Sequence, residues 1–289
     1  MTPGNFEYHA PRSLGDALSL LKGYGDEAKI LAGGHSLLPM MKLRLASPAH
    51  LVDLRHISEL RGIREQKGTV HIGAMVTEAE LIVSDVVRTH CPLIAEAASV
   101  IADPQVRNCG TLGGDLAHGD PGNDQPAVML ALGAQMVIRG AGGERTLPAQ
   151  EFFLGTYQTA LEPGEILTGV QVPVATSSSG YAYCKLKRKT GDFATAAAAV
   201  QLSLKGKKCQ AVSIALTNAG PIPTRVGAAE RLLTGQVIDE DMITKAVALV
   251  MAACDPAVDL RGDAEYKTHM AGEMARRALR RALQRAQGE

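Results

Sequence analysis

Two short segments of this chain have the composition of an anion cradle. In "AGGHS", Ala32 to Ser36, the adjacent Gly33 and Gly34 precede His35 and Ser36; in "TLGGD", Thr111 to Asp115, Leu112 leads into Gly113 and Gly114. Paired glycines let successive backbone N–H groups converge on a phosphate with no side chain in the way. Ser36 adds a hydroxyl at what reads as a helix start, and His35 a further donor. One such turn describes an ordinary strand-to-helix connection equally well. Two in one chain favour a dinucleotide, whose pyrophosphate takes donors from two sides.

Motifs of other nucleotide, metal and hydrolytic sites are missing from the sequence. No G-x-G-x-x-G opens a helix after a strand, no G-K-[ST] occurs, and Gly140 to Gly143 reads as a hairpin turn. There is no G-x-S-x-G, H-E-x-x-H or EF-hand loop. The five cysteines, Cys91, Cys109, Cys184, Cys209 and Cys254, lack any C-x-x-C spacing, so they suggest neither a disulfide framework nor a zinc or iron–sulfur site. They read as reduced thiols of a cytosolic protein. His118, Asp120 and Asp124 lie in a Gly/Asp-rich loop whose first reading is turn chemistry. No metal site and no catalytic residue is assigned. In "KLKRK" the lysines at 185, 187 and 189 alternate as on a solvated edge strand, and the alanines from 196 to 199 allow close packing of a strand against another layer.

These segments need elements to position them. A chain of 289 residues, 46% hydrophobic, is long enough for two or three packed subdomains. Thirty basic residues balance thirty acidic ones, and aromatic residues are 3% with no Trp, which speaks against nucleic acid as a partner. No window is long and apolar enough for a membrane span, and the N-terminal stretch lacks the regions of a signal peptide, so a soluble, cytoplasmic protein is expected. Ser13 with Asp16, and Thr77 with Glu80, read as capping boxes. Helical spacing follows Ser13 as far as Gly23 and Gly25. Strands are expected at Lys29 to Leu31 and in "HLVDL", a hairpin around Lys67 and Gly68, and a helix from Pro92 to Val100. Gly110 to Pro126 reads as a long turn region, followed by a helix ending at Gly133, a hairpin, and a strand in "ILTGVQVPV". "ATSSSG", Ala175 to Gly180, is the best linker. Beyond it come three strands, near 181–187, 195–205 and 210–217, forming an antiparallel meander, then helices near 226–234, 240–253 and 264–286.

Three segments, "LAGGHSLLPMMKLRLASPAHLVDL", "GTLGGDLAHGDPGNDQPAVMLALGA" and "GYAYCKLKRKTGDFATAAAAV", resemble the FAD-binding medium subunits of molybdenum hydroxylases, most of all the aerobic carbon monoxide dehydrogenase branch. The likeness runs over nearly the whole chain with order and spacing intact. It implies an α+β fold: a two-part FAD-binding domain of the vanillyl-alcohol-oxidase (PCMH) type over 1–176, with subdomains of about 1–57 and 58–176. A C-terminal domain over 177–289, a three-stranded antiparallel sheet and a helix bundle, would complete it. By resemblance, Ala32, Gly33, Gly34, His35 and Ser36 bind the FAD pyrophosphate from one side, and Thr111, Leu112, Gly113, Gly114 and Asp115 from the other. Asp124 matches an acidic position that contacts the nucleotide, Ile101 and Leu167 match apolar positions lining the isoalloxazine, and Lys185 a basic one beside it. Phe193 replaces a Tyr of the carbon monoxide branch, and Asp115 replaces the family's Asn.

The implied role is electron transfer from iron–sulfur clusters to an external acceptor. A large subunit would carry the molybdenum cofactor and a small one the [2Fe-2S] clusters, in a dimer of heterotrimers, with a quinone or another acceptor taking the electrons. The complex would be cytoplasmic, peripheral to the inner face of the membrane. A related subunit serving an N-heterocyclic or aromatic substrate, or a scaffold that has lost its flavin, would also fit these residues.

Overall fold

The computed structural model describes residues 2–175 and 178–288. It opens with β1 (Glu7–His9), α1 (Leu14–Tyr24), β2 (Ala28–Leu31), α2 (Leu37–Lys42) and β3 (His50–Asp53). Helix α1 starts where Ser13 Oγ accepts the Asp16 N–H, buries Leu14, Ala17 and Leu21 along one side, and stops at Gly25, whose φ is 52°. The capping box is incomplete, because the Asp16 carboxylate accepts the Ser13 hydroxyl instead. The three strands form a parallel sheet in the order β1-β3-β2. Strand β1 has no counterpart in the sequence reading: it is three residues long and mostly exposed, so no apolar alternation marks it.

Next come β4 (Ile63–Gln66) and β5 (Thr69–Gly73), then α3 (Glu78–Val83), α4 (Asp85–His90), α5 (Pro92–Val100), α6 (Pro104–Cys109), α7 (Leu112–His118) and α8 (Gln125–Leu132). The run continues with β6 (Gln135–Gly140), β7 (Gly143–Pro148), α9 (Ala149–Phe152), β8 (Phe153–Gly155), β9 (Gln158–Thr159) and β10 (Ile166–Pro173). Strands β4-β5-β10-β6-β7 make an antiparallel sheet. Its residues Val70, Ile72, Met136, Ile138, Val170 and Val172 pack on Leu81, Leu93, Ile94, Leu112, Leu116 and Met129 of the helices. The expected long turn from Gly110 to Pro126 is corrected here, since most of its first half is α7. Thr111 starts that helix by accepting the Gly114 N–H on its Oγ1, at 3.1 Å, and the cap outweighs the two glycines beside it.

The last part holds β11 (Ser179–Leu186), β12 (Ala196–Lys205), β13 (Lys208–Thr217), β14 (Thr224–Arg225), α10 (Gly227–Leu233), α11 (Glu240–Ala252) and α12 (Ala264–Gln287). The meander β11-β12-β13 gains a two-residue fourth strand, β14. The alanines of β12 are buried on both faces. Ala197 and Ala199 join the core that contains α8, whereas Ala196 and Ala198 join Ala271, Ala275 and Ala278 of α12. The expected boundary between 176 and 177 lies outside the described residues, as does the middle of "ATSSSG". Among the described residues, no helix is long and apolar enough to cross a membrane.

Candidate cofactor site

A cavity of about 700 Å³, within the size range of cofactor sites, lies where the β2–α2 turn, the ends of α5 and α6, the start of α7, β10 and β11 meet. Ala32, Gly33, Gly34, His35, Ser36, Ile101, Thr111, Gly113, Gly114, Asp115, Asp124, Leu167, Lys185 and Phe193 all line it. Leu112 does not line it. Its side chain is fully buried in the core and its N–H donates to the Val76 carbonyl.

The two glycine turns do different work. In the first, Gly34 sits at φ 76°, a conformation glycine adopts freely, and a Cβ on Gly33 would lie 2.2 Å from the Cys109 carbonyl oxygen. Among the described residues, the backbone N–H groups of Gly33, Gly34, His35 and Ser36 donate to no protein acceptor, and the Ser36 hydroxyl does not cap α2. Successive uncommitted donors on a cavity wall are what an anion needs. In the second turn the N–H groups that follow Thr111 are already engaged. Leu112 donates to Val76 O, Gly113 to Ala74 O and Asp115 to Thr111 O, and Gly114 donates to Thr111 Oγ1. The expectation of a second set of converging backbone donors is therefore corrected. Gly113 is there for packing, because a Cβ would come within 2.4 Å of the Ala74 Cβ.

A buried charged cluster backs the same cavity. Lys185 Nζ lies 2.6 Å from Asp124 Oδ2, with 3% and 5% of the two side chains exposed. Tyr183 donates its hydroxyl to Asp124 Oδ1 at 2.6 Å. Lys187 and Lys185 both reach the Val100 carbonyl at the C-terminus of α5, where cations complement the helix dipole. Burial pushes the Asp124 carboxyl up, with Lys185 and Tyr183 opposing. Burial, followed by the Lys185 charge, holds the Lys187 amine down.

Asp115 faces the N-terminus of α8, where its Oδ2 accepts the Gln125 N–H at 3.3 Å. Asp124, in the cap position of that helix, makes no side-chain cap and is free for Lys185. Burial first, then the charges of Glu78, Asp124 and Asp120, push the Asp115 acid well up, towards its neutral form. A neutral acid offers one donor and an acceptor, much as the amide of an Asn does. Glu78 is 2% exposed and pushed up to about 7 by burial, with the Asp124 charge adding to it and the Gln125 amide opposing. Gln125 Nε2 donates to Glu78 Oε2 at 2.9 Å, which leaves Glu78 Oε1 and Gln125 Oε1 unpartnered among the described residues.

Ile101 and Leu167 supply apolar wall. Phe193 sits at the rim, 43% exposed, its ring 5.6 Å from the Arg261 guanidinium. Burial keeps two of the thiols protonated, raising Cys91 to about 12 and Cys254 to about 11. The structure does not bring His118, Asp120 and Asp124 together. His118 packs against Tyr157 with the rings tilted at 51°, Asp120 accepts from Tyr157 and the Gly122 N–H, and Asp124 binds Lys185. The arrangement suits an elongated ligand with phosphates and a flat apolar ring, and among the described residues it contains no nucleophile or general-base pair.

Sequence reasoning missed Tyr183, Glu78 and Gln125. Tyr183 was findable, since it continues the alternation of Lys185 and Lys187 backwards along β11. Glu78 carried no signal, because an acidic residue in a helix first turn is usually exposed.

Comparison with known proteins bears on the cavity. Residues 4–175 match the family described as FAD binding domain in molybdopterin dehydrogenase, and residues 181–282 match the CO dehydrogenase flavoprotein C-terminal domain. The carbon monoxide dehydrogenase medium chain of Hydrogenophaga pseudoflava is 53% identical over 285 residues, 99% of each chain. That of Afipia carboxidovorans (strain OM5) is 52% identical over 286 residues, again 99% of each. A solved structure of carbon monoxide dehydrogenase from Hydrogenophaga pseudoflava, in a form lacking the Mo-pyranopterin moiety of the molybdenum cofactor, superposes with a TM-score of 0.96 at 55% identity, covering 98% of both chains.

Proposed function

The chain belongs to the family built on the FAD-binding domain of molybdopterin dehydrogenases, and from that premise we propose that it is the flavin-carrying electron-transfer subunit of an aerobic carbon monoxide dehydrogenase. The observation that carries this reading is the run of uncommitted backbone donors from Gly33 to Ser36 on a cavity that also holds the buried Lys185–Asp124 pair. Full-length identity above 50% to two carbon monoxide dehydrogenase medium chains supports the substrate.

Bound FAD would supply the capacity to take electrons in pairs and release them singly. The chain's own residues would bind, orient and shield it. Gly33, Gly34, His35 and Ser36 would hold the pyrophosphate. Thr111, Gly113 and Gly114 would form the opposite wall, and Leu112 would anchor that wall to the core. Ile101 and Leu167 would cover the ring and exclude water. Lys185, its charge balanced by Asp124, would place a fixed ammonium beside the ring, where a cation favours the anionic reduced form and raises the potential. Phe193 would pack at the rim, and Asp115 would hold the start of α8 so that Asp124 keeps its place.

Carbon monoxide would be oxidised at molybdenum in a large partner subunit, and a small partner with [2Fe-2S] clusters would deliver the electrons. The assembly would be a dimer of heterotrimers, cytoplasmic and docked at the inner face of the membrane, with a quinone as acceptor. The test is to add carbon monoxide anaerobically to the assembled complex and to the isolated chain. The flavin absorption should bleach in the complex and stay unchanged in the isolated chain. A complex whose flavin ignores carbon monoxide contradicts the reading.

A further inference from the structure

Strands β1 and β3 carry a side-chain cluster that the flavin cavity does not use. Glu7 and His50 are register partners across this parallel pair, and His9 lies two residues beyond Glu7, on the same face of β1. Glu7 Oε2 is 3.4 Å from His50 Nδ1 and 3.9 Å from His9 Nε2, and the two imidazole nitrogens are 3.2 Å apart. Three ligands held tetrahedrally by one zinc ion at its usual bond lengths stand roughly 3.3–3.5 Å from one another, so the triangle is nearly the right size without rearrangement. The rings are also fixed in place. Tyr24, at the end of α1, stacks on His50 with centroids 3.7 Å apart and planes at 13°, and on His9 at 5.1 Å. Both imidazoles are largely buried, with 21% of His9 and 13% of His50 exposed, whereas the Glu7 carboxylate, 71% exposed, closes the cluster from the solvent side.

We propose that Glu7, His9 and His50 form a binding site for a divalent cation of the zinc class. Two imidazoles and one carboxylate are the donor set that borderline ions of this group prefer, and a fourth position is left for water. Ligation would tie the short strand β1 to β3, adding a link between the N-terminal segment and the sheet next to the flavin cavity. The competing arrangement is an imidazole–imidazole hydrogen bond, which needs no ion.

The test uses the full, tag-free, flavin-loaded chain, stripped with a chelator, in a Cys109→Ser background that removes the one exposed thiol. Zn²⁺ uptake is followed by calorimetry and Co²⁺ by visible absorption. One equivalent of Zn²⁺ should bind, and Co²⁺ should show the bands of a four-coordinate ion with no thiolate charge transfer. The double variant H9Q/H50Q should lose more than about a hundredfold in affinity and Glu7→Gln about tenfold, at unchanged FAD content. Should the double variant lose flavin, His9→Gln alone carries the comparison. No Zn²⁺ uptake by the parent, uptake undiminished in the histidine variants, or the spectrum of hydrated six-coordinate Co²⁺ overturns the proposal.

Discussion

At the scale of single residues, Asp115 and Glu78 set how the cavity behaves with pH. A carboxylate opposite a pyrophosphate would repel it, but Asp115 is turned to the Gln125 N–H and held towards its neutral form by burial and its acidic neighbours. Asp115→Asn should therefore keep full FAD occupancy, read as the ratio of flavin to protein absorbance. A large gain in occupancy would show that the acid had been repelling the cofactor. Glu78 has its folded value raised to about 7 from 4.5. Between those values the folded chain holds a proton that the unfolded chain has released, so stability is greatest below the lower value and is lost as pH rises through the upper one. The loss is on the order of a few kcal/mol and is shared with the acidic neighbours Asp115 and Asp124. Denaturant unfolding of the flavin-free chain across that window should show the fall, and Glu78→Gln should reduce it, leaving the part due to Asp115.

Among the elements, the two turns call for different tests. A Cβ on Gly33 would strike the Cys109 carbonyl at 2.2 Å and one on Gly113 the Ala74 side chain at 2.4 Å. Loss of flavin in Gly33→Ala or Gly113→Ala would therefore come with lost stability. The Ser36 hydroxyl caps nothing. Ser36→Ala should leave thermal unfolding of the flavin-free chain unchanged while weakening FAD binding by about 1.5–3 kcal/mol, the worth of a hydrogen bond to a charged group. Elements with strong local signals were legible in the sequence. Pro92 begins α5, and Lys67 and Gly68, both at positive φ, make the β4–β5 hairpin turn. The short helices α4, α6 and α7 were not. Each is started by a single side chain, Ser84, Asp103 or Thr111, and is too brief for helical spacing to emerge, so tertiary packing completes it. In α7 the glycines that permit contact with Ala74 also disguise the helix as a turn. The same effect hid the split between the turns: composition marks where backbone can come close to something, and here one turn's close neighbour is the protein itself.

Considered whole, the molecule builds its cavity from segments far apart in the chain, between Leu21 and Phe193. The β2–α2 turn and α7 form part of the wall, and Lys185, Asp192 and Phe193 complete it. Asp192, although burial opposes it, is held down to about 2 by Arg188 and Arg261, which fixes the loop that presents Phe193. The alanines of β12 let α8 and α12 close on that strand from opposite faces, each forming its own core, and the buried Lys185–Asp124 pair links β11 to the start of α8 on the cavity side. Every role proposed for these residues depends on the shared cavity holding FAD. Denaturing the purified chain, then identifying and quantifying the flavin it releases, measures this without intermediaries. One equivalent of FAD per chain is the predicted result; a colourless chain that takes up no added FAD, or one that releases FMN, would contradict it.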